Sequence, residues 1–336
     1  MTRSFDIAVI GATGSVGETL VQLLEERDFP VANLQLIASG DSAGGSLSFK
    51  GKNLRVRSIE SFDFANVRLA FFTAGAAVTQ EYATQARAAG CAVIDLTGAL
   101  PEELAPRVIP EVNAEVLATL SAPYLLASPS APSIALATVL AVLGAHLSPQ
   151  RLTVTACLAV SSRGRAGVSE LARQTAELLN GRAFEPQLFD RQMAFNLLGQ
   201  VDECDGEGHG ALERRMALEL KTLLAAPQLQ VSATCIQAPV FFGDSFSVTL
   251  QCASAFDLQS LRDALEAAPA VEYVESGDYP TVVGDAVGQD EVYVGRVRVG
   301  LDDPCELNLW IASDNVRKGA ALNAVQLAEL LIKHYL

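Results

Sequence analysis

The sequence is poor in histidine, in aromatic residues and in positive charge. It has three histidines in 336 residues, 6% aromatic residues, and 24 lysines and arginines against 39 aspartates and glutamates, for a net charge of −15. This balance argues against a nucleic-acid-binding protein, which would need a basic surface. No apolar run reaches the ~20 residues of a membrane-spanning helix. Met1-Thr-Arg-Ser4 runs directly into a strand-like segment, so we expect no cleavable signal sequence and a cytoplasmic protein.

The scarcity of histidine also argues against a metal site. His146, His209 and His334 have no partner at ligand spacing. The cysteines form no Cys-x-x-Cys motif, and most lie in strand-like apolar runs. They are Cys91, Cys157, Cys204, Cys235, Cys252 and Cys305. Without a signal sequence we interpret them as free, mostly buried thiols.

The length and an apolar content of 50% predict two domains. In the first part of the chain, short apolar strands at 5–10, 34–38, 67–72 and 92–95 alternate with helical segments such as 79–89. This alternation predicts an α/β domain with a Rossmann-type parallel sheet. We place this domain at 1–128.

From Arg151 onward the pattern changes to long alternating strands. They are predicted at 151–160, 230–239, 245–253, 291–299 and 306–312. Such strands favour a mostly antiparallel sheet with one covered face. The second domain, of α+β type, is therefore predicted over 129–313, and a last helix is predicted from about 314 to 335.

The strongest local signal is Gly11-Ala-Thr-Gly-Ser-Val-Gly17, between a predicted strand and a predicted helix. Glycines at this spacing allow a tight turn, let the backbone approach a pyrophosphate, and permit close contact between helix and strand. The anion would lie at the helix N-terminus. We predict a nicotinamide dinucleotide site here, and the alternative is a tight turn without a ligand.

Asp41 lies beyond the second predicted strand, where a ribose-binding carboxylate is expected. Its carboxylate would accept a hydrogen bond from a 2′-hydroxyl and repel a 2′-phosphate. The sequence therefore favours NAD over NADP. The alternative is a solvated loop carboxylate.

Three motifs, in order along the chain, resemble aspartate-semialdehyde dehydrogenase, a family of amino-acid biosynthesis. They are the glycine turn, Val108-Ile-Pro-Glu-Val-Asn113, and Asp314-Asn-Val-Arg-Lys-Gly-Ala-Ala-Leu-Asn-Ala-Val-Gln326. The resemblance covers essentially the full length. It implies a homodimer, with a dimerising second domain and a C-terminal helix, 314–336, that returns to the first domain. The cofactor-binding positions that it implies are Gly11, Thr13, Gly14, Ser15, Val16, Ser39, Asp41, Asn315 and Gln326.

Family members reduce aspartyl phosphate through a thioester on a cysteine, with NADPH as hydride donor, and this chain departs from the residues that do so. In Ser128-Pro-Ser-Ala-Pro-Ser133, Ala131 takes the position of the nucleophilic cysteine. A methyl group cannot form a covalent acyl intermediate. Leu158 takes the position of the orienting glutamine, Gln237 that of the substrate-binding arginine, and Asp244 that of the histidine base.

Further departures concern charged groups that the resemblance implies. Pro101 and Asp41 stand where arginines would bind the substrate phosphate and the 2′-phosphate. An acid–base pair on the substrate helix remains only in part, as Glu213 and Arg215. The sequence therefore resembles the catalytically silent branch of the family, the usg-type homologues, with the dinucleotide-type fold retained.

The sequence leaves open two other functions and the role of one pair of arginines. The chain could be an active NAD(P)-dependent oxidoreductase on an aldehyde or acyl phosphate, with Ser128, Ser130 or Ser133 as nucleophile and Asp244 as base. Cys157 adjoins Leu158, but in a strand it points to the opposite face. Arg163 and Arg165 could bind an anion, or they could be solvated loop charges. The chain could also act as an interaction module that forms mixed dimers with an active homologue.

Overall fold

The computed structural model describes residues 4–336, without the side chain of Asp41. The chain forms two compact units. The first comprises the residues up to Ser130 together with Ala320–Leu336, and the second is Ala131–Gly319. The division thus falls two residues after the expected 128, and residues 314–319, expected in the first domain, belong to the second unit.

The first unit is built on a sheet whose strands run parallel except in one hairpin. Between residues 4 and 130, seven strands pair in the order β3-β4-β2-β1-β5-β6-β7, and only β3 and β4 pair antiparallel. This arrangement confirms the predicted Rossmann-type sheet. The elements are β1 (Phe5–Ile10), α1 (Ser15–Glu26), β2 (Val31–Ala38), β3 (Ser46–Phe49), β4 (Lys52–Ser58), β5 (Leu69–Phe72), α2 (Ala76–Ala88), β6 (Ala92–Asp95), α3 (Pro110–Asn113) and β7 (Leu125–Ala127).

Both faces of this sheet are covered, as its continuous apolar strands require. Ile7 and Val9 of β1 belong to a core that includes apolar residues of α1 and of the C-terminal helix Asn323–His334. The alternate residues, Ala8 and Ile10, belong to a second core with alanines of α2. Because β1 is buried on both faces, the accessible place next to it is its carboxyl end, where Ile10 and the turn that follows lie at the edge of the sheet.

The second unit has a mixed sheet with mostly antiparallel pairing. Between residues 131 and 319, six strands pair in the order β11-β12-β13-β10-β8-β9, where β8–β9 and β11–β12 are parallel and the other three pairs antiparallel. The elements are α4 (Ala131–Gly144), β8 (Pro149–Leu158), α5 (Gly164–Leu179), α6 (Ala211–Leu223), β9 (Gln230–Gln237), β10 (Asp244–Cys252), α7 (Leu258–Ala267), β11 (Val271–Tyr273), β12 (Val292–Val299) and β13 (Glu306–Ser313).

One face of this sheet is covered, as the alternation predicted. Leu152, Val154 and Ala156 of β8 are buried, whereas Thr153 and Thr155 between them are more exposed. The nearly continuous apolar helix α4 packs on the unit's interior and contacts β12, β13, α6 and α7. The strands predicted in both domains agree with the structure to within three residues at each end.

The predicted last helix is wrong in its first part. The carboxylate Oδ1 of Asp314 accepts hydrogen bonds from the N–H groups of Val316 (2.8 Å) and Arg317 (2.7 Å). Arg317–Leu322 then forms a π-helical segment, and the α-helix α8 comprises only Asn323–His334. The apolar spacing therefore continues through two kinds of helix. No helix of the described residues is both long and apolar enough to cross a membrane.

Candidate functional site

The glycine turn follows β1, and its backbone leaves no room for a side chain at two positions. Gly11 has a φ of +92°, and a Cβ there would lie 2.6 Å from the backbone nitrogen of Ala74. A Cβ at Gly17 would lie 2.2 Å from the carbonyl oxygen of Gly11. At Gly14 the corresponding distance is 3.4 Å and φ is −77°, so the structure requires glycine at 11 and 17 but not at 14.

The same turn presents the N-terminus of α1. The N–H groups of Gly11 and Ala12 donate to the carbonyl oxygen of Ile37, at 2.8 and 3.1 Å, and this holds the turn against the end of β2. Gly14 is the N-cap of α1 and offers no side-chain acceptor. The first N–H groups of a helix have no acceptor within the helix, so an anion is a suitable partner for them.

The other expected cofactor positions of the first unit lie around this turn. Thr13 is part of the turn, and Ser15 and Val16 are the first residues of α1; all three are half-buried. Ser39 follows β2, is exposed, and begins the short 3₁₀ turn Gly40–Ser42. Asp41 lies in that turn, and its side chain is outside the described part of the structure.

Two expected cofactor residues come from the C-terminal motif and have different surroundings. Gln326 lies in α8 of the first unit, and its Oε1 is buried without a hydrogen-bond partner among the described residues. Asn315 lies in the second unit, where its Oδ1 accepts from the N–H of Gly243 (2.9 Å) and its Nδ2 donates to Ser161 Oγ (3.0 Å). The glycine cradle, the uncapped helix and the unpartnered amide oxygen of Gln326 fit a dinucleotide.

Two of the positions that the sequence resemblance implies to be catalytic are neighbours in the second sheet. Leu158 and Gln237 are the last residues of β8 and β9 and are paired in register. Gln237 is 1% exposed, and its Nε2 donates to the carbonyl oxygen of Leu158 at 2.8 Å. Its Oε1 is buried without a hydrogen-bond partner among the described residues. The side chain at the arginine position thus ties two strands together and leaves one buried acceptor.

Asp244, the first residue of β10, lies at the same edge of the sheet. Its side chain is buried, and Oδ1 accepts from the N–H of Ala159 at 2.9 Å. Burial raises the pKa of this carboxyl to about 7; the hydrogen bond from Ala159 opposes the rise, and the charge of Asp314 adds to it. A carboxyl with this pKa is half protonated near neutral pH, which is the condition for general acid–base chemistry.

Ala131 is the first residue of α4, and its methyl group faces the C-terminal motif. A Cβ built at Gly319 would lie 2.7 Å from the Cβ of Ala131. The N–H of Gly319 in turn donates to the carbonyl oxygen of Asp314 at 2.8 Å. The structure therefore places two of the four positions near the C-terminal motif, Ala131 through Gly319 and Asp244 through Asp314.

The serines considered as replacement nucleophiles are buried. Ser128 Oγ accepts a hydrogen bond from Asn323 Nδ2 at 2.8 Å, and Ser130 and Ser133 are at most 9% exposed. The three histidines are all exposed. These buried serines therefore have no buried imidazole beside them to act as a base.

Four of the cysteine thiols, those of Cys91, Cys157, Cys235 and Cys252, are in environments that disfavour the thiolate. Burial raises the pKa of Cys91 and of Cys235 to about 12. Burial also raises the pKa of Cys157, and the charge of Asp244 adds to that rise. We expected the free thiols to be mostly buried, and only three of the six are: Cys204 is exposed, and Cys157 and Cys305 are half-buried.

Two contacts of charged residues were not predicted from the sequence. The guanidinium of Arg107, 9% exposed, donates from Nη2 to the carbonyl oxygen of Leu100 at 3.1 Å, next to Pro101, where the resemblance implies an arginine. Glu213 accepts from the N–H groups of Gly210 (2.9 Å) and Cys235 (2.8 Å), so it caps α6 and ties it to β9. No sequence motif marks either contact.

Of the remaining basic candidates, two are exposed and one, Arg215, is half-buried. Arg163 is exposed and donates to the carbonyl oxygen of Val201. Arg165 is exposed in the first turn of α5. Arg215 donates to Glu219 Oε1 at 2.7 Å. In the described part of the chain, no group of three His, Cys, Asp or Glu side chains is placed to hold a metal ion.

Comparisons with known proteins agree with this architecture. The family model of the semialdehyde dehydrogenase NAD-binding domain matches residues 6–120, and that of the dimerisation domain matches residues 140–318. The chain is 62% identical to a USG-1 protein homolog of Azotobacter vinelandii, over 99% of both chains. It is 40% identical to aspartate-semialdehyde dehydrogenase 2 of Vibrio cholerae, over 100% of both.

A solved structure gives the same result for the fold. The chain superposes on a probable aspartate-semialdehyde dehydrogenase from Pseudomonas aeruginosa with a TM-score of 0.97 and 60% identity. The match covers 99% of this chain and 100% of that one. Both units therefore have counterparts over their full extent.

Proposed function

Since this chain belongs to the aspartate-semialdehyde dehydrogenase family, we propose that it is a dinucleotide-binding homodimer that does not catalyse the family's reaction. The observation that carries the proposal is the chemistry of the residues found, within one unit, at the positions where the resemblance implies reactive groups. Ala131 offers no nucleophile, and Gln237 and Asp244 are buried and engaged in hydrogen bonds with the backbone. The family domains support the fold and the dimer, and we place the protein in the cytoplasm.

The electrostatics support the loss of activity. The family's substrate is an anion, and its binding requires cationic partners. Here Gln237 is neutral, and Asp244 adds a second carboxylate near Asp314. Each charge-assisted contact that is lost costs about 2 kcal/mol of substrate binding or transition-state stabilisation. None of the four cysteines with a shifted pKa compensates, because each of those pKa values is raised.

The dinucleotide would be held by the first unit. The N-terminus of α1 would bind its pyrophosphate, and Gln326 Oε1 offers an acceptor to a hydrogen-bond donor of the ligand. When bound, a nicotinamide group supplies hydride transfer in active relatives. Asp41 supports a preference for NAD.

Isothermal titration calorimetry tests the binding. We expect NAD to bind at least about tenfold more tightly than NADP, because a carboxylate at position 41 repels the 2′-phosphate. Asp41→Arg is expected to reverse the preference. Glu81→Arg, the same charge change at an exposed position of α2, is the control and should leave it unchanged. No heat with either dinucleotide would refute the binding.

A turnover assay tests the absence of catalysis. With aspartyl phosphate or a panel of aldehydes, consumption of NAD(P)H is expected to stay at the level of the protein-free blank. Loss of a nucleophile together with its base commonly removes a factor of about 10⁴ or more. A measurable rate would contradict the proposal.

One observation favours a second function, an oxidoreductase of altered specificity. The pKa of Asp244 near 7 is that of a competent general base at neutral pH. This function requires that turnover be present and that Asp244→Asn abolish it. Turnover that survives Asp244→Asn would exclude this base.

A further inference from the structure

We propose that the first unit carries a second anion-binding site, which binds a phosphorylated small molecule. The site is a cleft of about 390 Å³ between β2 and β4. It is lined by the first residues of β2, Val31–Gln35, rather than by its end at Ala38, beside which the glycine turn is held. The cleft is thus separate from the proposed dinucleotide site.

The cleft exists because two parallel strands diverge. Strands β2 and β4 pair only where Leu36–Ala38 meets Val56–Ser58. Four or more residues of each strand precede this contact, since β2 begins at Val31 and β4 at Lys52. The backbone groups of these residues that face the other strand lie along the gap. They can pair with a ligand, as unpaired strand edges do.

The charge of the cleft is opposite to that of the protein. Four cationic side chains line it: Lys50, Lys52, Arg55 and Arg57. Its lining includes no carboxylate, and no ion pair joins these four side chains to any carboxylate of the described residues. In a chain of net charge −15, these four cations lie within eight residues and repel one another; the carboxylate beside them, that of Glu25, accepts from the backbone N–H of Lys50 and forms no ion pair with the four side chains among the described residues. A bound anion with two or more charges would relieve this repulsion.

Two features favour phosphate over a single carboxylate. Arg55 and Arg57 are two residues apart on one strand, so both guanidinium groups lie on the same face of the sheet. Guanidinium groups pair bidentately with phosphate oxygens. Lys50 lies in the turn between β3 and β4. Its N–H donates to Glu25 Oε2 at 2.8 Å, and its Nζ lies 5.6 Å from the centre of the Phe49 ring.

The rest of the lining suits an organic group of small size. Val31, Leu34 and Leu54 provide apolar surface, and the amides of Asn33 and Gln35 provide hydrogen-bonding groups. Asn33 already donates to Asp6 Oδ1 at 2.6 Å, which orients its amide. A volume of about 390 Å³ lies in the range of small-molecule sites, so the cleft fits a nucleotide-sized ligand better than a protein segment.

Calorimetry with inorganic pyrophosphate and with ADP tests this site in the full-length protein. The cleft variant combines Lys52→Ser with Arg55→Ser. The control variant combines Arg182→Ser with Lys333→Ser, which removes two exposed cations elsewhere. We expect both probes to bind the unmodified protein, the cleft variant to bind them at least about tenfold more weakly, and the control to stay within about twofold.

The outcomes separate this site from the dinucleotide site. Both variants keep the glycine turn, so a probe that binds there would be bound equally by the cleft variant, and equal binding would overturn the proposal. The proposal also fails if neither probe binds, or if an acidic heptaglutamate peptide binds in their place. If the unmodified protein binds NAD, the cleft variant is expected to bind NAD with the same affinity. If it does not bind NAD, the dinucleotide proposal fails, and the two probes still test the cleft.

Discussion

Replacing Gly17 with alanine is expected to lower the free energy of unfolding by about 3 kcal/mol. The added Cβ would lie 2.2 Å from the carbonyl oxygen of Gly11, 2.8 Å from Ala12 Cα and 2.9 Å from the carbonyl carbon of Gly11. All three are backbone atoms, so no side chain can rotate away to relieve the contact. The turn between β1 and α1 would have to open. Urea denaturation followed by circular dichroism measures the loss.

Gly14→Ala is the matched control for this prediction. Its Cβ would be 3.4 Å from the same carbonyl oxygen, which is an ordinary contact, and its φ of −77° is open to any residue. Alanine at the N-cap position is expected to cost about 1 kcal/mol or less. Equal losses for Gly17→Ala and Gly14→Ala would show that the close approach at Gly17 has no energetic weight.

Asp244→Asn is expected to stabilise the protein by about 3 kcal/mol at pH 8 and by less than about 1 kcal/mol at pH 4. Burial raises the pKa of Asp244 from 3.8 to about 7. A group whose pKa is raised in the folded protein binds its proton more tightly there, so its contribution is most favourable at low pH. That contribution is lost as the pH rises from about 4 to about 7. Asparagine keeps the acceptor for the N–H of Ala159 and has no charge to bury.

The control for this prediction has the opposite sign. Asp205 accepts hydrogen bonds from Arg214 and from the N–H groups of His209 and Glu207, and these contacts hold its pKa below its usual range. Asp205→Asn is therefore expected to reduce stability at neutral pH and to have less effect in acid. Thermal unfolding from pH 4 to pH 8 distinguishes the two variants. Parallel pH profiles for Asp244→Asn and the unmodified protein would contradict the shifted pKa.

The parts of the fold that follow from apolar periodicity were predictable from the sequence. The predicted strand at 92–95 coincides with β6, whose four residues are all buried. The hairpin of β3 and β4 was not predicted, because the polar stretch Lys52-Asn-Leu-Arg-Val-Arg-Ser58 has little apolar signal. The C-terminal helix was predicted too long, because the hydrogen bonds of Asp314 delay the start of α8 and do not alter the apolar spacing.

The contacts of the candidate site residues were not predictable from the sequence. Motif order locates Gln237 and Asp244 in the sequence. Their hydrogen bonds reach Leu158 and Ala159, which are 79 and 85 residues away. Such contacts depend on the register of three strands, and register follows from packing across the whole sheet. The use of Glu213 as a helix cap was hidden for the same reason, since one of its partners is on β9.

The hydrogen bonds at this sheet edge give Gln237 and Asp244 a structural role that does not depend on any part they play in chemistry. Alanine at 237 would give up the bond from Gln237 Nε2 to the carbonyl of Leu158, and alanine at 244 would give up the acceptor for the N–H of Ala159. Each lost bond is expected to cost about 1 kcal/mol. Because Leu158 and Ala159 are consecutive, these two side chains hold the ends of three strands, β8, β9 and β10, together at one point of the sheet.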